Sequence, residues 1–438
     1  MSKEQLKREI FEKVVAYYHV VHQSEQNRPF IPGESPINYA GRVFDEQEMV
    51  GLVDSALDFW LTYGDYSRRF EQMLATYLNV RWALLVNSGS SANLLAFMAL
   101  TSPLLKERQV QRGDEVITVA CGFPTTVAPI VQYGAVPVFV DVDLATANLD
   151  VTQLDAARSS RTKAIMVAHT LGNPFDVKAV QAFCEHHHLW LIEDNCDALG
   201  SSVNSQLTGT FGAIGTSSFY PPHHLTMGEG GAVYTNDPLL RKIMLSLRDW
   251  GRDCWCESGK DNTCQHRFSG QHGTLPQGYD HKYVYSHFGY NLKASDMQAA
   301  IGCAQMEKFP EFIKKRQANH AYLSEALKEI PWLHIQQALP ESNPSWFGFL
   351  MTLSQDAPMG RTEFAKYLED HKIQTRNLFA GNLTRHPCFA ALTEGKDYRV
   401  AAPLTNTDNI MNQSLWIGVY PGMTQEKLDY IADTIKAI

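Results

Sequence analysis

No run of eighteen or more apolar residues occurs in this 438-residue chain, so no transmembrane helix is expected. The opening stretch, MSKEQLKREIFEKVVAYY, lacks the long apolar core of a secretory signal. Its charged and apolar residues alternate at helical spacing and predict an amphipathic helix. No Lys/Arg-rich stripe is present and the formal charge is −9, which argues against nucleic acid and anionic membranes as partners. Internal repeats and low-complexity segments are also missing. A charged content of 19 % against a hydrophobic content of 44 % is ordinary for a globular protein, and a chain of this length buries enough surface for one large core or two. Eight cysteines without an export signal point to the reducing cytoplasm, where clustered cysteines are more often metal ligands or catalytic groups than disulfides.

From about Arg81 to Asn236, short apolar runs alternate with helical stretches. The candidate strands are Ala83–Asn87, Glu115–Ala120, Val136–Asp141, Ala164–Thr170, Trp190–Asn195, Gly215–Tyr220 and Gly231–Asn236. Near-continuous apolar runs of this kind predict a mostly parallel seven-stranded sheet buried on both faces, with ligands at the strand ends. Residues 250–285, rich in Gly, Cys, His and charge but poor in aliphatic side chains, read as an inserted excursion that needs a ligand to hold its shape. Helical periodicity resumes over Ser295–Leu327, and short strands such as Trp346–Thr352 follow. The expected organisation is an N-terminal helical arm over 1–50, a large α/β domain over 51–310 and a smaller C-terminal α/β domain over 311–438.

Two stretches carry polar groups where such sheets bind ligands. Val86–Leu94 places Ser88, Ser90 and Ser91 between a strand and a helix, where free N–H groups and the helix dipole favour a phosphate; helix capping alone also explains serines there. Ile192-Glu193-Asp194-Asn195 ends an apolar run in carboxylates. A carboxylate facing a cleft can keep a pyridine nitrogen protonated; a surface acidic pair is the alternative. The third stretch is Ser218-Phe219-Tyr220-Pro221-Pro222-His223-His224-Leu225-Thr226-Met227-Gly228-Glu229-Gly230-Gly231. It resembles the Ser-Phe-x-x-x-Lys-x-Leu-Thr-x-Gly-Glu-Gly-Gly pattern of the sugar-aminotransferase group of fold-type I pyridoxal phosphate (PLP) enzymes. Every fixed position is present except the lysine, whose place His223 takes. No lysine occurs between Lys178 and Lys242, so a small slip of register cannot restore it.

The resemblance implies that Ser90, Ser91 and Ser218 hold the coenzyme phosphate, that Phe123 stacks on the pyridine ring and that Asp194 pairs with its nitrogen. Asn291, in Gly289-Tyr290-Asn291-Leu292-Lys293, would reach the phosphate bound by a neighbouring subunit, which implies a homodimer. Asp197 falls near the ring, where the family has His or Gln. A lysine amine forms an imine with the coenzyme aldehyde. Imidazole does not, but its reference pKa near 6.5 suits proton transfer. The coenzyme should therefore be noncovalent and work as pyridoxamine phosphate (PMP), with His223 as the base. His224 is the rival, but it sits where the family varies.

Cys196, Cys254, Cys256 and Cys264 form Cys-x57-Cys-x-Cys-x7-Cys. In extended chain Cys254 and Cys256 project to one side. Two thiolates per iron fit a [2Fe-2S] centre, while four cysteines equally make a closed zinc site. All four positions resemble the cluster motif of the 3-dehydrase family acting on CDP-4-keto-6-deoxy-D-glucose, which also has histidine at the lysine position. The resemblance implies C-3 deoxygenation of a CDP-sugar in 3,6-dideoxyhexose biosynthesis, with a flavin/iron–sulfur reductase as electron donor. A cluster-free GDP-4-keto-6-deoxy-D-mannose 3-dehydratase is the nearest alternative, and a noncatalytic regulator on the same fold the more distant one. Because Cys196 lies two residues beyond Asp194, the cluster is expected close to the ring. Arg376, in a C-terminal loop, is a candidate substrate contact. Cys121, Cys184, Cys303 and Cys388 read as packing residues.

Overall fold

The computed structural model describes residues 2–256 and 259–438. Met1, at the end of the expected arm, and residues 257 and 258, inside the expected insertion, lie outside the described residues. The seven apolar runs form strands: β1 (Trp82–Val86), β2 (Glu115–Val119), β3 (Val136–Val140), β4 (Thr162–Ala168), β5 (Trp190–Asp194), β6 (Ile214–Ser218) and β7 (Gly231–Thr235). Further along come β8 (Leu333–Ile335), β9 (Gly348–Leu353), β10 (Arg399–Val400) and β11 (Ser414–Gly418).

The large sheet has eight strands, not the expected seven, in the order β1-β7-β6-β5-β4-β2-β3-β10. The added strand, β10, pairs in parallel with β3 through Arg399 and Val400. Two residues carry no periodicity, so only the tertiary pairing reveals it. Within this sheet β7 runs antiparallel to both of its neighbours, and the other pairings are parallel. Ile165 and Val167 enter one apolar core while Ala164 and Met166 enter the other. Burial on both faces is what a parallel sheet covered by crossover helices requires.

A second, antiparallel sheet, β8-β9-β11, carries a separate apolar cluster. The helix Asp296–Leu327 starts at a capping box on Ser295. It contributes Cys303, Met306 and Phe309 to a cluster beneath β1 and β7, and Leu323 and Leu327 to the cluster of the second sheet. It therefore runs unbroken through residues 310 and 311. The N-terminal helix Lys3–Tyr17 forms, with its own capping box at Ser2. The described residues of 250–285 form no strand and no helix beyond one short 3-10 turn, His281–Tyr283, because the stretch has few aliphatic residues to bury. Among the described residues no helix is long and apolar enough to cross a membrane.

Candidate active site

A cavity of about 490 Å³ opens at the carboxyl ends of the parallel strands, where ligands of doubly wound sheets bind. Gly89 and Ser90 follow β1, Gly122 and Phe123 follow β2, Ala168 ends β4, Asp194 ends β5 and Ser218 ends β6; all line it.

At one end lies the start of the helix Gly89–Leu100. Ser88 caps it by accepting from the Ser91 N–H at 3.0 Å, and the two hydroxyls also bond at 3.0 Å. The Ser91 hydroxyl accepts in that contact and keeps its own proton to donate; Ser90, not Ser91, is among the residues lining the cavity. A Cβ at Gly89 would stand 2.4 Å from the Ser218 Cβ, and one at Gly231 would stand 2.3 Å from the Ser88 carbonyl oxygen. Those two glycines let β6, β7 and the turn close into one cradle. Helix-start N–H groups with the Ser90 and Ser218 hydroxyls suit a phosphate.

Deeper in, Asp194 is buried. Its Oδ2 accepts from Asn93 Nδ2 and Thr126 Oγ1, each at 2.7 Å, and its Oδ1 from the Cys196 N–H at 3.2 Å. Three donors fix the carboxylate against the cavity. Phe123 is half exposed over the opening and meets Phe379 edge to face at 5.8 Å.

His223 sits in a turn after β6, its N–H donating to the Tyr220 carbonyl at 2.9 Å. The ring stacks on Phe347 at 5.1 Å. Its Nδ1 is buried without a hydrogen bond and faces Asp197 Oδ1 at 3.5 Å, which leaves Nε2 as the edge turned to the cavity. Burial lowers this imidazole to about 4, with the Arg316 charge adding to the effect and Asp194 opposing it. Burial and the nearby Asp194 charge push Asp197 well above the usual carboxylate range. Both members of the pair therefore resist charge. His224 is buried, with Nε2 2.6 Å from the Ser345 carbonyl oxygen, and does not line the cavity. No lysine lines it either.

Sequence reasoning missed Arg316. Its Nη atoms donate to the carbonyls of Trp346, Phe347, Pro222 and His223 at 3.2–3.4 Å, which pins the turn under the imidazole. Burial lowers the guanidinium to about 9. A signal existed: Arg316 falls on the buried stripe of its helix with Phe309, Phe312 and Leu323, where an arginine needs partners. Asn93 and Thr126 had no such signal.

The thiols of Cys254, Cys256 and Cys264 lie within 4.8 Å of one another, a spacing that fits a shared metal. Cys196 is not among them; it lines the cavity near Asp194, where burial pushes its thiol far up. Burial raises Cys254 to about 11. At Cys256 burial also pushes upward, but hydrogen bonds from Thr263, Cys264 and Cys254 together outweigh it and bring the thiol to about 7. His281 Nδ1 stands 3.9 Å from the Cys264 sulfur. Asn291 is at the surface, accepting from Lys293 Nζ at 2.8 Å, and does not line the cavity. Arg376 does line it.

The donor set fits a B6 coenzyme: an anion cradle at one end, a held carboxylate at the other, an aromatic ring above and the His223 imidazole between. Comparison with known proteins agrees. Residues 44–436 match the model of the DegT/DnrJ/EryC1/StrS aminotransferase family. The chain is 52 % identical over 425 residues, 97 % of its length and 96 % of the relative's, to lipopolysaccharide biosynthesis protein RfbH of Salmonella typhimurium. It is 50 % identical over 424 residues, 97 % and 91 %, to dTDP-4-dehydro-2,6-dideoxy-D-glucose 3-dehydratase of Saccharopolyspora spinosa. Among solved structures, E. coli GDP-4-keto-6-deoxy-D-mannose-3-dehydratase with bound hydrated PLP superposes with a TM-score of 0.82 at 29 % identity, over 91 % of this chain and 98 % of that one.

Proposed function

The chain belongs to the DegT/DnrJ/EryC1/StrS aminotransferase family, and from that premise we propose that it is a B6-dependent sugar-nucleotide 3-dehydratase that deoxygenates C-3 of a 4-keto-6-deoxyhexose for dideoxysugar biosynthesis. The observation that carries this reading is His223. It stands at the lysine position of the family pattern, inside a cavity with Asp194, Ser218 and Phe123 and without a lysine.

Bound noncovalently in that cavity, PMP supplies an amine for the sugar ketone and an aromatic electron sink. Ser90, Ser91, Ser218 and the helix start hold its phosphate. Asp194 faces the ring nitrogen and Phe123 covers the ring. His223 moves the proton at Nε2, with Asp197 orienting Nδ1. Burial keeps the imidazole neutral at neutral pH, so a nitrogen lone pair is available. Asn291 of the partner subunit completes the phosphate site in a homodimer. The substrate proposed is CDP-4-keto-6-deoxy-D-glucose, with Arg376 contacting it; the dTDP- and GDP-sugars named for the relatives are the comparators.

Cys254, Cys256 and Cys264, with Cys196 as fourth ligand, are proposed to hold a [2Fe-2S] cluster, which supplies single electrons received from a flavin/iron–sulfur reductase. A second reading, a cluster-free 3-dehydratase with zinc at the three grouped thiols, leaves Cys196 outside the ligand set. Iron and sulfide analysis of anaerobically purified protein separates the two.

The test of the main reading uses His223→Lys. Borohydride treatment with the aldehyde coenzyme should trap a covalent adduct in the variant and none in the unaltered protein, and the variant should lose deoxygenation. A variant that traps nothing would place residue 223 away from the coenzyme and end the proposal.

A further inference from the structure

None of the described residues between 250 and 285 lines the reaction cavity, whereas Cys196 lines it and stays partly exposed. The thiol-rich excursion leads away from the cavity of its own subunit. Asp253, next to Cys254, has Oδ1 3.8 Å from Lys242 Nζ, midway along the helix Pro238–Arg248. That helix starts beyond Thr235, and Thr235 pairs with Trp82 at the end of the sheet opposite the cradle.

The root of the excursion forms one body with Asn291. Asp249 pairs with Asn291 and Arg252 with Tyr285 through antiparallel bridges. The Asp253 N–H donates to the Val284 carbonyl at 2.9 Å, and the Ser286 N–H to the Gly251 carbonyl at 2.8 Å. A Cβ at Gly289 would stand 2.2 Å from the Gly251 nitrogen, so the two stretches meet backbone to backbone. Trp255, Tyr283, Tyr285 and Phe288 of this segment are exposed, Phe288 completely. Four aromatic rings left in water on one short segment mark a protein contact.

A second copy fits that contact, because Asn291 on the same body is proposed to reach the phosphate cradle of a partner. From a cradle to Cys196 the way is short. Asn93 lies about 6 Å along its helix from Gly89; it donates to Asp194, which also accepts from the Cys196 N–H. Cys254 is five residues beyond Asp249, the residue opposite Asn291, and extended chain covers about 17 Å over that stretch. The thiols of one copy can therefore reach the partner's Cys196. A two-fold axis repeats the contact in the other direction.

We infer that the ligand set is completed between subunits: Cys254, Cys256 and Cys264 of one copy and Cys196 of the other hold each cluster, so that a dimer carries two clusters at its interface. This rests on the [2Fe-2S] reading and on the shared Asn291 site.

Mixed dimers test it. Cys196→Ser and Cys256→Ser subunits carrying different affinity tags are coexpressed, and the dimer bearing both tags is purified anaerobically with its coenzyme. Each homodimer should lack the cluster. The mixed dimer joins one unaltered Cys196 to one unaltered thiol group, so iron and sulfide should return to half the content of the unaltered protein, with the absorbance bands of a [2Fe-2S] centre. If each subunit supplied all four of its own ligands, both halves of the mixed dimer would be defective; a mixed dimer as empty as the homodimers overturns the inference. Pairing Cys254→Ser with Cys256→Ser leaves no thiol group intact and should stay empty. Iron restored there as well, or failure to form any mixed dimer, also overturns it. An unchanged coenzyme absorbance spectrum shows that the variants are folded. Iron retained in full by the Cys196→Ser homodimer, or absent from the unaltered protein, would end the cluster reading and this inference with it, so that failure is distinguishable from an empty mixed dimer alone.

Discussion

Burial of imidazoles dominates the chemistry at the residue scale. His223 is held to about 4 and His320 to about 3, while an unfolded imidazole titrates near 6.5. For such a group the unfolded chain binds the extra proton between about pH 6.5 and the lowered value, so its contribution to stability is lost as the pH falls through that window. Asp197 and Glu71, both raised by burial, act in the opposite sense, so a difference measurement is needed. His320 stacks on Trp346 at 3.7 Å and has burial as its only cause. The variant His320→Phe should therefore gain urea stability relative to the unaltered protein as the pH drops from about 6.5 to about 4. A difference independent of pH would contradict that account. His223 itself was legible, because a missing lysine in an otherwise complete motif is a local fact. Its contact was not: the resemblance put Asp197 near the ring, but Asp197 faces Nδ1 only because Arg316 and Phe347 hold the turn.

Individual elements explain why some site residues could be read and others could not. The phosphate turn is a strand, a Ser88 cap and a helix in sequence, so its chemistry is local. Even there, only the fold shows that the Ser91 N–H serves the cap while Ser90 lines the cavity. Gly89→Ala would force a Cβ onto Ser218; coenzyme affinity should fall at least tenfold, measured by absorbance titration, with secondary structure retained. The cysteine-rich excursion was legible as a segment without its own core. Alternation put Cys254 and Cys256 on one side, and Cys264 joined them. Cys256→Ser should abolish bound iron and sulfide in chemical analysis while PMP binding persists. Iron retained in full would remove Cys256 from the proposed ligand set. The eighth strand and the His224 contact to Ser345 had no sequence signal, since each depends on chain more than a hundred residues away.

At the scale of the whole molecule, Asn291 lies at the surface outside the cavity, so the proposed shared site requires a second copy. Sedimentation should show a dimer. Asn291→Ala should weaken coenzyme binding several-fold without dissociating that dimer, whereas a monomeric protein with full coenzyme affinity would refute subunit sharing. The helix Asp296–Leu327 feeds two apolar clusters, so the sheet that bears the site and the sheet beside it share one support. Sequence alone determined the parallel sheet, the cradle at the strand ends, the loss of the lysine and the thiol-rich excursion. Those follow from period, turn chemistry and the identity of a few adjacent residues. Only the tertiary structure decided that Asp197 faces His223, that Arg316 braces it and that Cys196 lines the cavity. Each of these brings together residues from distant stretches of chain, and the packing of whole elements, which no local pattern encodes, sets their distances.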